Sequence, residues 1–450
     1  MTVRDRFLAE EVEAGLAELP LIDAHTHLVG GRFGARGLED ILLYHMAVTD
    51  LYAAGCPSGN RLTEFPGWPT REEAIRRIEE AIPFLPRVRN TSASWAIRII
   101  LKDLYAWEEP ITRENWRNLD ALVRERAEDR SWGHSVLDRL NIRRTVTEYA
   151  RRGEGVDDDR LQYALEWAFF TRCQWGEFDT ALYELEHSWG KSPQSPTGIG
   201  KGRRVEGERR IRSLADVHAA LDHYVNSIPY DCLVAHATHL STDIDYRVVG
   251  ETEMEQALKR REQAGPEERD IYASYVHERF LHELEPHADT LAFQFSFGAE
   301  PLPFETGSRL SHRTLAQLAE MVARHPRVRF QCFLASRPAN QALCTLAREL
   351  PNLSLIGCWW HNFFPDAIRE VMGERLDMLP LNKQIGFFSD AYCVEGVYGK
   401  ATLLRKQLAA VLSDRIRRGQ YSMEEALSIA REILFESPQS LLGIRPRSVT

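Results

Sequence analysis

The sequence lacks the features that are typical of secreted, membrane-spanning and nucleic-acid-binding proteins. Its seven cysteines include no CxxC pair and fall mostly in apolar runs, so we expect buried free thiols in a reducing cytoplasm. No eighteen apolar residues run uninterrupted, and the charged N-terminus lacks the apolar core of a signal peptide. Lysine and arginine number 56 against 66 aspartates and glutamates, and the net charge of −10 leaves no basic field for a phosphate backbone or an anionic membrane. We therefore expect a cytoplasmic protein whose partner is a small molecule.

The chain instead has the composition of a globular protein with a large core, since its 450 residues are 44% apolar and 27% charged. Short runs rich in β-branched and aromatic residues are candidate strands, and helical patterns separate most of them. These runs are Pro20–His27, Arg143–Glu148, Leu161–Phe170, Cys232–Leu240, Thr290–Phe297, Val328–Ala335, Leu353–Trp359 and Gln384–Ser389. Eight strands that alternate with helices predict a single α/β domain over residues 1–450, a (β/α)8 barrel of the TIM type.

Two segments interrupt this alternation. Residues 30–140 contain successive helical stretches, such as Leu38–Ala54, and predict a large helical insertion after the first strand. Residues 190–205 combine proline, glycine and serine with a basic cluster and predict an exposed loop. Towards the C-terminus, Met423–Leu434 is amphipathic, and Ser422 with a glutamate three residues later predicts a capped start for that helix.

The strongest local signal is the triplet His25-Thr26-His27 at the end of the first candidate strand. Alternate residues of a strand face the same side, so both imidazoles would point into the barrel mouth, where strand ends carry the catalytic groups of such barrels. Two imidazoles there suit a divalent metal. Chance or packing is the alternative for an isolated triplet, and the position of this one favours a metal site.

The second signal is Asp390, which follows the short apolar run Ile385–Ser389 at the last expected strand of the barrel. A carboxylate there could ligate the same metal and accept a proton from bound water. Alternatively, Asp390 caps the next helix, and the residues alone favour neither role.

A histidine triplet on the first strand with an aspartate closing the last resembles the signature of the amidohydrolase superfamily. Further segments narrow the resemblance to the uronate isomerase branch of that superfamily. They are Asp23 before the triplet, Tyr44-His45 in the next helix, Leu355–Trp360, and Phe388–Ala391 before a long C-terminal helix. The resemblance covers the chain from Pro20 to Leu442 and implies that His25, His27 and Asp390 bind a metal.

Three positions depart from the pattern of uronate isomerases. Those enzymes place a tyrosine after the helical histidine and an arginine two residues after the last-strand aspartate, where this chain has Met46 and Tyr392. A thioether and a phenol cannot replace a guanidinium, whose charged fork matches a carboxylate. At the end of the run Leu161–Glu166, assigned to strand four, Glu166 stands where the isomerases have another arginine. These departures weigh against isomerisation of a uronate.

In hydrolytic members of the superfamily, strand four ends in a lysine or glutamate that bridges two metals, and strand five ends in a histidine. Glu166 and His236 would fill these places, although a lone glutamate is more often solvated. We therefore expect a set of nitrogen and oxygen ligands for one or two ions of zinc, iron, manganese or cobalt. The expected ligands are His25, His27, Glu166, His236 and Asp390.

Asp390 is also a candidate catalytic residue, together with His45 and Arg337. By the resemblance, His45 contacts the substrate or supports a ligand, although a histidine on an apolar helix face is more often part of the core. Arg337, after the sixth candidate strand, could meet a substrate carboxylate or phosphate, or could cover the barrel rim.

These residues predict a metal-dependent hydrolase in which Asp390 deprotonates metal-bound water for attack on an ester, thioester or amide. Aromatic residues after the seventh strand and in the eighth favour a bulky, apolar acyl group, such as that of an acyl-coenzyme A thioester. The alternative is an aldose–ketose isomerase of uronates, and a third hypothesis is a non-enzymatic binding protein on a decayed barrel. The resemblance also implies assembly into a homo-oligomer.

Overall fold

A computed structural model shows the architecture of the chain. It describes residues 3–44, 46–57, 70–153, 158–166, 182, 185–186, 189, 209–229, 232–237, 247–298, 312–359 and 363–444. Among these residues, no helix has the length and apolar character that crossing a membrane requires. The predicted exposed loop at residues 190–205 lies outside the described residues.

Eight parallel strands form one sheet in which strands that follow each other in the chain also pair in space. They are β1 (Leu21–Thr26), β2 (Ile142–Glu148), β3 (Leu161–Glu166), β4 (Cys232–Ala237), β5 (Ala292–Phe297), β6 (Arg329–Leu334), β7 (Leu353–Ile356) and β8 (Gln384–Ile385). Parallel strands of this kind are buried on both faces, which explains their nearly continuous apolar runs. The predicted α/β fold, a (β/α)8 barrel of the TIM type, is confirmed.

Helices flank the sheet. Those described are α1 (Val3–Glu18), α2 (Leu38–Leu42), α3 (Met46–Ala53), α4 (Arg71–Ala81), α5 (Ser92–Tyr105), α6 (Trp116–Glu128), α7 (Trp132–Arg139), α8 (Leu214–Asn226), α9 (Glu251–Lys259), α10 (Pro266–Leu284), α11 (His312–Arg324), α12 (Asn340–Glu349), α13 (Pro365–Met378), α14 (Val394–Arg417), α15 (Met423–Arg431) and α16 (Ser437–Leu441). The helical stretch predicted at Leu38–Ala54 contains two helices, because Leu43 leaves the helical conformation and ends α2 before α3 begins at Met46. The capped start of α15 is confirmed, since the Ser422 hydroxyl accepts a hydrogen bond from the backbone N–H of Glu425 at 3.1 Å.

The two ends of the sheet meet at the mouth of the barrel. The backbone N–H of Asp390 donates to the carbonyl of His25 at 2.9 Å, and that of His27 donates to the carbonyl of Ala391 at 2.8 Å. These hydrogen bonds join the end of β1 to the segment that follows β8, so residues from both ends of the chain form one seam.

A shift of register in β1 turns its last residues towards this mouth. The pairing of β1 with β2 is irregular between Asp23 and Thr26. Ala24 belongs to a buried cluster with residues from most of the strands, which places it inside the barrel. A slip of one residue exchanges the two faces of a strand, and the His25 ring accordingly packs on the same cluster, 5.5 Å from the Phe333 ring.

Helices α2 to α7 lie between β1 and β2 and are anchored by one buried carboxylate. Glu395, near the start of α14, is fully buried. Its carboxylate accepts hydrogen bonds from the Ala35 backbone N–H at 2.9 Å, the Tyr105 hydroxyl at 2.7 Å and the Trp132 indole N–H at 2.8 Å. Three separate segments before β2 are thereby attached to the helix that follows β8.

The structure corrects the strand numbers that were assigned to two expected ligands. Among the described residues, β2 is the one strand between β1 and the run Leu161–Glu166, so this run is the third strand of the sheet and not the fourth. The strand that carries His236 is likewise the fourth and not the fifth. The analogy with the bridging ligand of strand four therefore does not apply to Glu166.

Candidate metal centre

His25, His27 and Asp390 converge at the mouth of the barrel. His25 lies in β1, His27 directly follows it, and Asp390 follows β8. All three residues are buried, and one ligand atom from each lies within 4.8 Å of the others. The Oδ1 atom of Asp390 is 3.1 Å from Nε2 of His27 and 3.6 Å from Nε2 of His25.

These distances fit a metal ion. Ligand atoms bound tetrahedrally at about 2.1 Å lie roughly 3.4 Å apart, and the two measured separations bracket this value. Two imidazoles and one carboxylate are suitable ligands for zinc and for other divalent transition metals. The triad is therefore a candidate metal centre, in agreement with three of the five ligands expected from the sequence.

The backbone places the Asp390 carboxylate through an unusual conformation. Asp390 has φ of +54°, in the left-handed region that few residues other than glycine adopt, although aspartate and asparagine tolerate it best. The surrounding hydrogen bonds hold this conformation. Besides the bond from its N–H to His25, the Asp390 carbonyl accepts a hydrogen bond from the hydroxyl of Tyr44. Such local strain is typical of functional sites.

Glu148, the last residue of β2, orients the His27 ring. Its Oε1 lies 2.9 Å from Nδ1 of His27, the nitrogen that faces away from Asp390. A carboxylate on the second nitrogen is the usual support of a metal-binding histidine. Burial alone would lower the pKa of His27, but Glu148 and Asp390 raise it to about 9 in the metal-free protein.

The Glu148 carboxylate also accepts a hydrogen bond from Nε of Arg151. Burial opposes ionisation of Glu148, but His27 and Arg151 hold the pKa of its carboxyl well below the usual range. Arg151 lies in a short 3-10 turn, Tyr149–Arg151, immediately after β2. Its carboxylate partner and its position connect this guanidinium to the triad.

Aromatic rings line the wall of the centre. The Tyr392 ring stacks on the His27 ring, with 4.3 Å between the ring centres and an angle of 9° between the planes. The guanidinium of Arg151 lies 5.4 Å from the centre of the Tyr392 ring. The Tyr44 ring packs edge-on against Tyr392 at 5.2 Å. Behind Tyr44, the buried ammonium of Lys400 lies 3.4 Å from the Tyr44 hydroxyl.

A buried carboxyl group supports the seam beneath the triad. Asp23 is fully buried, and its Oδ1 accepts a hydrogen bond from the backbone N–H of Ser389 at 2.8 Å. Burial raises the pKa of Asp23 to about 7. This group helps to fix the segment that carries Asp390.

The other two expected ligands sit at equivalent places on neighbouring strands. Glu166 and His236 are register partners at the ends of β3 and β4. The backbone of both is described, but their side chains lie outside the described part of the chain. Their roles as ligands stay predictions.

Of the two remaining candidate catalytic residues, His45 and Arg337, the structure describes only Arg337. His45 lies outside the described residues. Arg337 follows β6 and forms an ion pair with Glu370 at 3.2 Å, with about half of each side chain exposed (49% and 59%). A role of Arg337 in binding substrate stays a prediction.

The sequence did not indicate Glu148, Arg151 or Lys400 as residues of the site, and it offered Tyr44 only as part of the family resemblance. Glu148 could have been found, because it ends the second candidate strand. Arg151 and Lys400 carry no recognisable motif, since their contacts with Tyr392 and Tyr44 join segments that are distant in the sequence.

Proteins of similar sequence match the chain only in part. No family model matches the chain. The chain is 26% identical over 148 residues to Protein fluG of Emericella nidulans, a match that spans 32% of the chain and 17% of that protein. It is 22% identical over 99 residues to the uronate isomerase of Thermotoga neapolitana, a match that spans 22% of each protein. The matched regions thus cover less than a quarter of these relatives.

Solved structures match the chain almost from end to end. The match to the glucuronate isomerase of Caulobacter crescentus has a TM-score of 0.77 at 14% identity and covers 99% of this chain and 95% of that enzyme's chain. The uronate isomerase of Thermotoga maritima has a TM-score of 0.73 at 13% identity, with 98% of this chain and 100% of its own covered. A uronate isomerase of Bacillus halodurans has a TM-score of 0.67 at 18% identity, with 98% of both chains covered.

These comparisons overturn the prediction of an acyl hydrolase, together with its apolar acyl or thioester substrate. The relatives and structural neighbours named above include uronate isomerases of four organisms, which support the isomerase alternative. The hydrolase prediction gave three substituted side chains more weight than the likeness of the whole chain, and its bridging ligand was placed on the wrong strand. The predicted resemblance to the uronate isomerase branch of the amidohydrolase superfamily is confirmed, and the chain has the fold of that branch.

Proposed function

We propose that this protein is a metal-dependent aldose–ketose isomerase of sugar acids of the uronate class. The observation that carries the proposal is the triad His25, His27 and Asp390 at the mouth of a barrel that matches uronate isomerases over nearly its whole length. Those neighbours are named as a uronate isomerase and a glucuronate isomerase, and we assign the same class of activity to this chain.

The triad would hold one divalent ion. Such an ion supplies a Lewis acid that polarises a carbonyl or hydroxyl oxygen of the substrate. The donor set suits zinc, iron, manganese and cobalt alike. Ligation of metal by Glu166 and His236 remains part of the proposal.

The side chains of the protein orient the imidazoles of the triad. Glu148 fixes the His27 ring so that Nε2 faces the centre. The rings of Phe333 and Phe388 pack edge-on against His25, at 5.5 and 6.3 Å, and Tyr392 stacks on His27, so aromatic rings hold both imidazoles in place.

Asp390 is the candidate for proton transfer. Isomerisation moves a proton between two neighbouring carbons of the sugar and needs a positioned acid or base for the hydroxyl groups. The Asp390 carboxylate lies beside both imidazoles, and we assign to this carboxylate the acceptance of a proton from a substrate hydroxyl. Contacts of His45 and Arg337 with the substrate remain part of the proposal.

The test is ketose formation from glucuronate and galacturonate by protein reconstituted separately with each candidate metal. We expect turnover of at least one uronate, near the common enzymatic value of about 10 s⁻¹. Asp390→Asn is the matched variant, because asparagine tolerates the left-handed backbone but cannot accept the proton, and we expect a loss of roughly 10²–10⁴-fold. Absence of ketose from both uronates with every metal would contradict the proposal.

A further inference from the structure

The position of the Asp390 carboxylate depends on the left-handed backbone of this residue, whose φ is +54°. A change of φ or ψ moves the Cβ atom and swings the carboxylate away from the imidazoles. The left-handed conformation is unfavourable for a residue that has a side chain, so neighbouring groups must maintain it. The following inference rests on the proposed function and concerns the groups that do so.

Hydrogen bonds from two parts of the chain hold the backbone around Asp390. From the end of β1, the carbonyl of His25 accepts the Asp390 N–H at 2.9 Å, and the N–H of His27 donates to the Ala391 carbonyl at 2.8 Å. The Asp390 carbonyl accepts a hydrogen bond from the hydroxyl of Tyr44, which lies between α2 and α3. Because Asp390 is buried, water is a poor substitute for this bond. Tyr44 thus connects the helices before β2 to the residue that completes the triad.

Lys400 contacts the same hydroxyl. It lies in α14 and is buried, and its Nζ donates to the Tyr44 hydroxyl oxygen at 3.4 Å. The ammonium also lies 5.1 Å from the centre of the Tyr44 ring and 5.2 Å from that of Phe363. A hydroxyl rotates to suit its partners, and a donor on its oxygen directs its hydrogen to an acceptor. Hydrogen bonds in such a chain also strengthen one another. Lys400 therefore favours donation by Tyr44 to the Asp390 carbonyl.

We propose that Tyr44 and Lys400 are positioning residues, which hold the Asp390 carboxylate in the metal centre by way of the Asp390 carbonyl. In this role neither side chain contacts the metal or the substrate. The two residues act in series, because Lys400 reaches Asp390 through the Tyr44 hydroxyl. Loss of either bond lets the Asp390 backbone leave the left-handed region for part of the time. The carboxylate is then less available both to bind the metal and to accept a proton.

Two other roles of these residues predict different results. Burial lowers the pKa of Lys400 and the charges of Asp390 and Asp23 oppose this effect, so a direct action of the Lys400 charge on Asp390 is one alternative. The other alternative is a purely structural role, since the contact of Tyr44 with Lys400 also joins the segment before α3 to α14.

The experiment measures Co²⁺ binding by metal-free protein, which does not require turnover. Cobalt suits the ligands of the triad, and the visible absorption of the bound ion reports the geometry of its ligands. The variants are Tyr44→Phe, Lys400→Met and the double variant. Tyr398→Phe and Lys406→Met are the matched controls, because they remove the same groups from α14 where the partners are Asp103 and Glu13.

For Tyr44→Phe we expect the Co²⁺ Kd to rise about 3- to 10-fold, the range for one lost hydrogen bond between uncharged groups, and the absorption bands to change. Lys400→Met should raise the Kd by a smaller factor. The double variant should equal Tyr44→Phe, because residues that act in series do not contribute additively. For the uronate that the wild type converts, kcat should fall by a similar factor with KM unchanged. Both controls should behave as the wild type.

An unchanged Co²⁺ Kd and spectrum in Tyr44→Phe would overturn the inference, and a loss of stability alone in urea unfolding of the metal-free variant would then show a structural role. A double variant whose loss is the product of the two single losses would also overturn it, since Lys400 then acts through its charge. Wild-type protein that binds no Co²⁺ would overturn the inference together with the metal centre. Wild-type protein that binds Co²⁺ but converts no uronate would instead refute the proposed function, while the Co²⁺ Kd still decides the roles of Tyr44 and Lys400.

Discussion

The buried carboxylate of Glu395 allows a matched test of how the helices before β2 are attached to the barrel. Two phenol hydroxyls donate to carboxylates between the same pair of helices, α5 and α14. Tyr105 donates to the fully buried Glu395 at 2.7 Å, and Tyr398 donates to the exposed Asp103 at 3.1 Å. Burial, followed by the charge of Glu395, raises the pKa of Tyr105 well above its usual value, so this phenol stays a donor throughout the accessible pH range.

The structure predicts very different costs for removing the two hydroxyls. Tyr105→Phe keeps the ring against Trp132, 5.7 Å away, but removes one of the three donors of a buried carboxylate. A hydrogen bond to a charged group contributes about 1.5–3 kcal/mol, so we expect a loss of about 2 kcal/mol in the free energy of unfolding. Tyr398→Phe removes a bond to an exposed carboxylate and should cost no more than about 0.5 kcal/mol.

Urea unfolding followed by tryptophan fluorescence measures both variants against the wild type. A chelator keeps all samples metal-free, because a ligand that binds only the folded state would add its own stabilisation. Equal losses in the two variants, or a smaller loss for Tyr105→Phe, would refute the argument that the Glu395 bonds hold this part of the chain.

Three further predictions follow from other parts of the molecule. Replacement of both His25 and His27 by alanine should abolish stoichiometric metal binding, and wild-type metal content by elemental analysis would exclude the site. Burial lowers the pKa of His325, but its carboxylate partners raise it above 6.5, so its stabilising effect is present below pH 6.5 and is lost as the pH rises through the raised pKa. Burial opposes ionisation of Glu278, but His325 and Arg324 lower the pKa of its carboxyl to about 2, so its stabilising effect is present above pH 4.5 and is lost as the pH falls. The free energies of unfolding of wild type and His325→Asn should therefore differ most between pH 4.5 and pH 6.5. Ser422→Ala removes a helix cap and should cost about 1 kcal/mol in urea unfolding, whereas an unchanged midpoint would show that the cap is dispensable.

Much of the fold could be predicted from the sequence because parallel barrel strands are buried on both faces. A run such as Val328–Ala335 is then mostly apolar and is easily recognised, and the structure has β6 at Arg329–Leu334. The break between α2 and α3 could not be predicted, since apolar residues continue through Leu43 and only its backbone conformation ends the helix. The strand numbers given to Glu166 and His236 were also wrong, because they were assigned by analogy and not by counting the runs that precede them.

The candidate site was predictable where its residues lie at strand ends. His25, His27 and Asp390 each follow or close an apolar run, and the structure brings them together. The role of Tyr392 could not be predicted in the same way. In the sequence it marks only a missing arginine, while in the structure its ring joins His27 to Arg151, a cation from a segment more than two hundred residues away.

The seam between β1 and the segment after β8 determines when the site can exist during biosynthesis. His27 and Asp390 are separated by 363 residues, and the backbone bonds that align them connect the same two segments. The entropy needed to close so long a loop must be offset by the strands and helices between them before the ligand atoms converge. A chain still lacking its last strand can carry both histidines yet offer no complete set of ligands. Metal uptake would then occur late, and an ion that bridges the seam would stabilise only barrels whose first and last strands have already met.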